Sequence, residues 1–277
     1  MDYVGRFAPS PTGPLHFGSI VAATASYLDA RSAGGKWLVR MEDVDEARTV
    51  KGAASSILRM LEDFGMEWNG EVLYQSARKA HYRDAMSSLG SYAYPCSCTR
   101  REIGGIYRGT CRNGTSGAAR SVRLRVDEGI TGFHDAIQGE YSQNLEREVG
   151  DFVLLRADGY YAYQLAVVVD DMMQGVNHVV RGADLLDSTP RQIYLQDRLR
   201  VQHPVYAHVP VAVNGQNEKL SKQTKAQPAL PNAETLYRAL MFLGQNPPAD
   251  TDLPELWNWA LRSWDLNKVP KKTMEKA

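Results

Sequence analysis

The sequence predicts an α/β fold built around an open, largely parallel sheet. A strand, a helix and a second strand follow one another within residues 3–42, and strand-like and helix-like segments alternate as far as residue 213. The crossover of such a βαβ unit is right-handed, and open sheets of this kind bind nucleotides at the carboxyl ends of their strands.

The first βαβ unit can be divided element by element. Residues 3–8 form the predicted first strand, and the prolines and glycines that follow break any regular element. Apolar side chains at helical spacing predict a helix over 18–32, which the glycine pair at 34–35 ends. Residues 36–42 form the second strand, which has an apolar centre.

The later elements follow from apolar spacing, capping residues and turn residues. They are helices over 50–64, from a Ser76 cap to Leu89 and from Ser188 onward, a hairpin that joins 151–156 to 161–169, strands over 176–180 and 205–213, and short helical pieces after residue 227. Residues 91–150 are rich in glycine, arginine and serine and predict an irregular insertion.

Composition excludes several classes of protein. The apolar fraction of 43% and the charged fraction of 23% are ordinary for a globular protein. The net charge of zero gives no bulk attraction to nucleic acid, although a local basic face remains open. No apolar run is long enough to span a membrane, and the first residues lack the pattern of a signal peptide, so we expect a cytoplasmic protein.

The string RFAPSPTGPLHFGS, at residues 6–19, joins the first strand to the first helix. Its prolines stiffen the loop, its glycines let backbone approach a ligand, and the free N–H groups of the following helix suit a phosphate. His16 would donate to a phosphate oxygen in the transition state. A rigid turn with an incidental histidine is the better interpretation of an isolated His-x-Gly, but the complete string favours a phosphate site.

A second string, KLSKQ at residues 219–223, follows the last predicted strand. Its two lysines can reach a pyrophosphate, and adenylyl transfer depends on positioning and on neutralising developing charge. Taken alone, the string is more simply interpreted as a solvated, lysine-bearing turn.

Together the two strings resemble the HIGH and KMSKS signatures of class I aminoacyl-tRNA synthetases, in the form found in the glutamate and glutamine branch. Further matches extend the resemblance over about residues 3–225: RMEDVD at 40–45, YQS at 74–76, YQLAVVVDD at 163–171 and VRGADLL at 180–186. Ser19 replaces the second histidine of HIGH, which weakens a two-histidine clamp. Leu220 and Gln223 replace two residues of KMSKS, but both lysines remain.

The resemblance implies a fold and a division of the chain. A Rossmann-type parallel sheet would form the catalytic domain, with its first half in residues 1–90 and its second half in 151–227. An inserted acceptor-like subdomain with a zinc site would occupy 91–150, and a short helical region would occupy 228–277.

The resemblance also implies two substrate sites. The catalytic residues would be His16, Lys219 and Lys222, and the site for ATP with Mg²⁺ would comprise Pro9, His16, Gly18, Ser19 and Lys222. Arg6 and Arg181 would bind the carboxylates of glutamate and Glu42 its α-ammonium group. Further contacts would come from Ala8, Ser10 and Tyr163. Which arginine faces which carboxylate stays open, and a structural ion pair of Glu42 and Arg181 is the alternative.

Cys96, Cys98 and Cys111 lie within sixteen residues of the insertion. An odd number of cysteines does not fit a disulfide framework, whereas thiolates are favoured ligands of structural zinc, which takes four ligands. Tyr107 matches the tyrosine in a Cys-x-Cys…Tyr-x-x-x-Cys zinc pattern of short glutamyl-type enzymes, so it would be the fourth ligand of one zinc ion. Three free cysteines are the alternative, and the more conventional fourth ligands are His81 and His134.

The 54 residues that follow Gln223 are too few for the anticodon-binding region of a glutamyl-tRNA synthetase. In length and cysteine pattern the chain resembles the glutamyl-Q tRNA(Asp) synthetase family. The resemblance implies a monomer that activates glutamate with ATP without tRNA and transfers it to the queuosine base in the anticodon of tRNA(Asp). The alternatives are a truncated glutamyl-tRNA synthetase that charges tRNA(Glu), a HIGH-type nucleotidyltransferase, and a non-catalytic tRNA-binding paralogue.

Overall fold

The structure, a computed structural model, describes residues 2–214 and 228–276. Its strands are β1 (Val4–Phe7), β2 (Lys36–Met41), β3 (Leu73–Tyr74), β4 (Ala93–Cys96), β5 (Ser121–Leu124), β6 (Thr131–Asp135), β7 (Gly139–Gln143), β8 (Phe152–Leu155), β9 (His178–Gly182), β10 (Val205–Val209), β11 (Val211–Val213) and β12 (Met274–Lys276). Its helices are α1 (Phe17–Ser32), α2 (Ala53–Asp63), α3 (Lys79–Ser88), α4 (Arg100–Ile103), α5 (Leu145–Glu148), α6 (Tyr163–Met173), α7 (Thr189–Leu199), α8 (Ala233–Phe242) and α9 (Leu253–Ser263).

The central sheet has two parts that lie side by side. One has the order β3-β2-β1 and the other β9-β10-β6-β7, and every pair is parallel except β6 with β7. The parts meet where the Asn177 N–H donates to the Val4 carbonyl (3.1 Å) and the Val4 N–H donates to Asn177 Oδ1 (2.8 Å). We call this junction of β1 and β9 the seam. It is a topological switch point, the position at which open α/β sheets bind ligands. The strand pairing confirms the predicted open, largely parallel sheet.

Helix α1 is covered on several sides at once. It packs on β1 and β9 and also contacts α8 and α9. Trp37 of β2 is fully buried and donates from Nε1 to the Ser26 hydroxyl (3.0 Å), while Trp257 of α9 donates from Nε1 to the Phe64 carbonyl (2.6 Å). The Tyr27 ring meets both indoles edge-on, at 5.0 and 5.2 Å between centroids. The C-terminal helices therefore complete the core around α1, the helix that follows the loop after β1.

Residues 91–150 are more regular than predicted. Strands β4 and β5 form an antiparallel sheet with β8, and β6 pairs with β10 of the central sheet. The prediction of an irregular insertion was therefore wrong for these strands. The domain boundaries stay a prediction. The pairings of β5 with β8 and of β6 with β10 cross the boundary predicted between residues 150 and 151.

Two further local predictions were wrong. The segment 161–169 was predicted to be a strand, but α6 begins at Tyr163 and is buried continuously from Gln164 to Asp171. A helix buried on all sides shows the continuous apolar run of a buried strand, so periodicity could not separate the two. Ser76 does not cap α3, which begins at Lys79; its N–H and hydroxyl both donate to the Asp43 carboxylate (2.8 and 2.7 Å).

The last predicted strand, 205–213, is two strands. Pro210 separates β10 from β11, and β11 pairs with β12 from the end of the chain, a pairing that the sequence did not indicate. The helix predicted to open at Ser188 is confirmed as α7, with a proline in its first turn. Within the described ranges, no helix is long and apolar enough to cross a membrane.

Candidate active site

A cavity of about 510 Å³ opens at the carboxyl ends of β1, β9 and β10 and at the start of α1. It straddles the seam, because its lining comes from both parts of the sheet. Ten of the predicted site residues line it: Arg6, Ala8, Pro9, Ser10, His16, Gly18, Ser19, Glu42, Tyr163 and Arg181. Lys219 and Lys222, the other two residues predicted for the substrate sites, lie outside the described residues.

The loop between β1 and α1 is fixed by backbone bonds to the chain after β2. The Pro9 carbonyl accepts from the Glu42 N–H (2.9 Å), and the Pro11 carbonyl accepts from the Val50 N–H (2.9 Å). Proline cannot donate from its nitrogen, but its carbonyl remains an acceptor. The bond at Pro9 therefore holds the predicted nucleotide loop against the base of the predicted ammonium site.

The first turn of α1 is arranged for an anion. It contains no acidic residue, so nothing opposes the positive end of the helix dipole. A Cβ added at Gly18 would lie 3.3 Å from His16 Cε1 and 3.6 Å from the Ala212 Cβ. Glycine at this position therefore leaves room for the imidazole between the helix and β11.

Arg6 is 3% exposed and is held by one carboxylate. Its Nε and Nη2 donate to the two oxygens of Asp171, at 3.2 and 3.4 Å. The same Asp171 accepts from Nη1 of the fully buried Arg40 (2.8 Å), and Nη2 of Arg40 lies 3.5 Å from Glu42 Oε1. Arg40 also donates from Nη1 to Gln174 (2.8 Å). A network of alternating charges therefore fixes both Arg6 and Glu42.

The pKa values of Glu42 and Asp171 are shifted in opposite directions. Burial raises the pKa of Glu42, and the nearby arginines Arg40 and Arg6 offset this only in part. Burial also opposes ionisation of Asp171, but Arg40 and Arg6 outweigh it and hold the pKa of that carboxyl below its ordinary value. Burial raises the pKa of the Tyr163 phenol to about 12, with a further contribution from Glu42. Tyr163 therefore remains a neutral hydrogen-bonding group beside the cavity.

Arg181 reaches the cavity from β9. Its Nε donates to His208 Nε2 (3.0 Å) and its Nη2 donates to the Thr189 hydroxyl (2.9 Å), while the guanidinium lies 5.6 Å from the centroid of the Tyr206 ring. Its Nη1 is buried and has no hydrogen-bond partner among the described residues. A buried donor without a partner is costly, so this nitrogen is a candidate donor to a ligand anion.

Behind Arg181, His208 and Asp135 are both fully buried. Burial lowers the pKa of His208 to about 4, although the Asp135 carboxylate opposes the shift. Burial acts against ionisation of Asp135, but its hydrogen bond with His208 contributes to a lowered pKa. The imidazole is therefore neutral and the carboxyl is ionised near neutral pH.

Sequence reasoning missed several residues that shape the site. Asp171 and Arg40 lie inside matched strings, and a charge within an apolar run was a usable signal, because such a charge needs a partner. Asp135 and His208 are 73 residues apart and gave no joint signal in the sequence. Their relation depends on the pairing of β6 with β10, which was not predicted.

The three cysteines form a second site, made by Cys96 at the end of β4 and by Cys98 and Cys111 in the chain between β4 and β5. Their sulfur atoms all lie within 4.8 Å of one another, and Cys96 and Cys111 are buried. The Tyr107 hydroxyl accepts from the Cys111 N–H (2.8 Å) and lies 3.3 Å from Cys96 Sγ and 3.8 Å from Cys98 Sγ. Three soft sulfur atoms and one oxygen so close together fit the donor set of a four-coordinate zinc ion.

The pKa shifts within the cluster differ from residue to residue, and burial raises the pKa of the Cys98 thiol. A hydrogen bond with the Tyr107 hydroxyl lowers the pKa of the Cys111 thiol to about 6, while burial raises the pKa of the Tyr107 phenol. Of the alternative fourth ligands, His134 pairs with Glu140 at the surface (2.8 Å), and His81 is exposed on α3. Among the described residues, neither histidine belongs to the group that could hold a metal.

Comparison with known proteins agrees with this architecture. A family model described as "tRNA synthetases class I (E and Q), catalytic domain" matches residues 3–112 and 107–239. The solved structure of glutamate-tRNA synthetase from Elizabethkingia anophelis superposes with a TM-score of 0.82 at 25% identity, over 100% of this chain and 68% of that one. A glutamate tRNA ligase from Elizabethkingia meningosepticum, solved in complex with its amino acid, gives 0.79 at 26% identity, over 100% and 67%.

Curated relatives match over almost their whole length. The glutamyl-Q tRNA(Asp) synthetase of Chromobacterium violaceum is 56% identical over 285 residues, which are 97% of this chain and 95% of the relative. The protein of the same name from Dechloromonas aromatica is 56% identical over 292 residues, 98% of this chain and 97% of the relative. The chain belongs to the glutamyl-Q tRNA(Asp) synthetase family, within the class I tRNA synthetases of the E and Q type.

Proposed function

We propose that this enzyme activates L-glutamate with ATP without tRNA and transfers the glutamyl group to the queuosine base in the anticodon of tRNA(Asp). One observation carries the first step: the buried charged side chains that line the cavity are two arginines and one carboxylate, beside a helix start suited to phosphate. Glutamate has two carboxylates and one ammonium group, so each charge of the substrate finds an opposite charge.

In the first step, a glutamate α-carboxylate oxygen attacks the α-phosphorus of ATP. The bond from this phosphorus to the bridging oxygen breaks, and pyrophosphate leaves with its Mg²⁺. His16, with Pro9, Gly18 and Ser19 around the phosphates, would stabilise the developing charge. The predicted partners of His16 are Lys219 and Lys222.

In the glutamate site, Arg6 and Arg181 take the carboxylates and Glu42 takes the α-ammonium group, with Ala8, Ser10 and Tyr163 as further contacts. Charge-assisted hydrogen bonds of this kind contribute about 1.5–3 kcal/mol each. Glutamine is rejected because its amide would leave a buried guanidinium without its counter-charge.

In the second step, a hydroxyl of the queuosine cyclopentene-diol attacks the carbonyl carbon of the adenylate, and AMP leaves. The names of the curated relatives support this acceptor. We further propose that Cys96, Cys98, Tyr107 and Cys111 hold one structural zinc ion, which would stabilise the small β4–β5–β8 sheet.

Two assays test the proposal. ATP–pyrophosphate exchange should depend on glutamate and proceed without tRNA; exchange without amino-acid preference would indicate a nucleotidyltransferase. Radiolabelled glutamate should then pass to tRNA(Asp) that contains queuosine and not to tRNA(Asp) that lacks it. Transfer to tRNA(Glu) alone would overturn the acceptor, and tRNA binding without any exchange would indicate a non-catalytic paralogue.

Substitution of the two arginines tests the glutamate site. Arg6→Ala and Arg181→Ala should each abolish glutamate-dependent exchange, because each leaves one carboxylate without its cation. Near-native exchange in either variant would refute the carboxylate role of that arginine. Arg238→Ala, whose guanidinium lies over the Phe17 ring at 5.0 Å, is a control outside the glutamate site.

A further inference from the structure

We propose that His208 and Asp135 are a buried positioning pair that sets the guanidinium of Arg181 for the substrate carboxylate. The inference rests on the proposed activation of glutamate. Neither residue lines the cavity, so both would act on the substrate only through Arg181.

Hydrogen bonds hold Asp135 at both of its carboxylate oxygens. Its Oδ1 accepts from the backbone N–H groups of Ile137 (3.0 Å), Gln138 (2.9 Å) and His208 (3.1 Å). Its Oδ2 lies 2.5 Å from His208 Nδ1. A carboxylate held by three backbone donors and an imidazole has no freedom to turn, so it fixes the ring plane of His208.

The partners of His208 determine which of its two nitrogens carries the proton. The ionised Asp135 carboxylate can only accept a hydrogen bond, so Nδ1 of His208 bears the hydrogen. Arginine has donors and no acceptor, so Nε2, at 3.0 Å from Arg181 Nε, must present a lone pair. The hydrogen-bond partners thus determine a single tautomer, with Asp135 on one side and Arg181 on the other.

His208 and Thr189 in turn restrict the guanidinium of Arg181. His208 and the Thr189 hydroxyl (2.9 Å) occupy Nε and Nη2, and Leu185 offers its carbonyl to Nη2 at 3.5 Å. Arginine has several rotatable bonds, so two fixed acceptors on one edge remove most of its freedom before a ligand arrives. The buried Nη1, which has no partner among the described residues, is left for the carboxylate.

The sheet explains how the three residues meet. They lie on the neighbouring strands β9, β10 and β6, where Arg181 is paired with His208 and Asp135 with Tyr206. The chain of hydrogen bonds runs across the strands at the edge where the cavity opens. Residues 131–135 of the predicted insertion therefore help to build the amino-acid site.

Two near-isosteric substitutions separate the two sides of the imidazole. The amide of Gln reaches the position of Nε2 and can accept from Arg181, whereas the amide of Asn reaches the position of Nδ1 and meets only Asp135. In glutamate-dependent pyrophosphate exchange, His208→Gln should keep the KM for glutamate within about threefold of the native value, and His208→Asn should raise it about tenfold or more. The KM for ATP and kcat should change little in both.

A merely structural histidine gives a different result. It would lower thermal stability and kcat in both variants without raising the KM for glutamate, or it would be rescued by Asn rather than Gln; either outcome overturns the proposal. If His208→Asn does not fold, Thr189→Val removes the other fixed acceptor and should also raise the KM for glutamate. An unchanged KM for glutamate in folded Thr189→Val would show that Arg181 does not depend on its fixed acceptors and would overturn the proposal.

The matched control is a second histidine–aspartate pair at the surface. His203 Nε2 lies 2.7 Å from Asp197, and His203→Gln should leave both KM values unchanged. The native enzyme separates the two levels of inference. If it shows no glutamate-dependent exchange, the proposed function fails; if it exchanges glutamate and His208→Asn keeps the native KM, only the positioning role fails.

Discussion

Asp171 accepts hydrogen bonds from two arginines at once, and each arginine depends on it differently. Arg6 lines the cavity and is oriented by both carboxylate oxygens, whereas Arg40 is fully buried and lies outside the cavity lining. A buried ion pair contributes little net stability, but removal of one partner leaves a charge that nothing compensates. We therefore expect Asp171 to serve both the proposed binding of glutamate and folding.

Asp171→Asn should show both effects. We expect a loss of about 3–5 kcal/mol in the free energy of unfolding, because Arg40 keeps its charge in the interior. We also expect a higher KM for glutamate, because Arg6 loses its fixed orientation. Urea denaturation and pyrophosphate exchange measure the two effects. Asp63→Asn, an exposed site at the end of α2, should change neither, and native stability in Asp171→Asn would contradict this account.

The raised pKa of Glu42 predicts that the binding of glutamate depends on pH. Burial raises the pKa of its carboxyl, and only the ionised form pairs with an ammonium group. As the pH falls, Glu42 should gain its proton while an ordinary glutamate is still ionised, so the KM for glutamate should rise on the acid side of neutrality. The contribution of Glu42 to stability has the opposite sign, because a carboxyl whose pKa is raised on folding stabilises the fold when protonated.

Initial rates of exchange across the acid range, with glutamate and ATP varied separately, check this prediction. The KM for ATP is the internal reference, since Glu42 is assigned no contact with the nucleotide. A KM for glutamate that stays flat until the enzyme unfolds would show that Glu42 does not carry the ammonium group.

Among the elements, the β4–β5–β8 sheet lies next to the cysteine cluster. Cys96 ends β4, and Cys98 and Cys111 lie in the chain between β4 and β5, so one metal ion would join the strand to its loop. A short sheet with a small core gains much of its stability from such a metal.

Enzyme purified without chelator should carry about one zinc ion per chain. Cys98→Ser should lose the metal and expose the amides of residues 97–120 to faster hydrogen exchange, and Tyr107→Phe should weaken zinc binding. Metal analysis and exchange mass spectrometry provide the measurements. Ser116→Ala, an exposed position in the same segment, is the control. Native protein without bound zinc would refute the proposed zinc site.

For the molecule as a whole, the β11–β12 pair connects residues 274–276 to the side of the cavity where we propose that ATP binds. Val211 and Ala212 line the cavity, and the Val211 N–H donates to the Thr273 carbonyl (2.9 Å). Without β12, β11 would be an unpaired edge.

Removal of residues 273–277 should therefore lower the melting temperature by about 2–4 °C for each kcal/mol lost, and it should raise the KM for ATP more than that for glutamate. Differential scanning calorimetry and pyrophosphate exchange are the measurements. Lys271→Ala, an exposed change just before the removed segment, should have no effect. Unchanged ATP kinetics in the truncated enzyme would show that β11 keeps its place without its partner.

The sequence predicted the open sheet and the cavity residues because both depend on local strings: the loop at 6–19 follows one strand and opens one helix. Its failures came from long-range effects. The valine-rich α6 was read as a strand because burial on every side hides helical periodicity. The pairing of β6 with β10, which brings Asp135 to His208, joins distant segments whose local sequences contain no trace of it.

Under the proposed binding mode, the seam would give the amino acid a mechanical role. Arg6 extends from β1 and Arg181 from β9, so the two guanidinium groups belong to half-sheets joined across few backbone bonds. A molecule with a carboxylate at each end can fasten these half-sheets to one another as a cross-link does. The substrate would then become part of the framework that holds it, and a shorter diacid or a monoacid could occupy the same space without closing that framework.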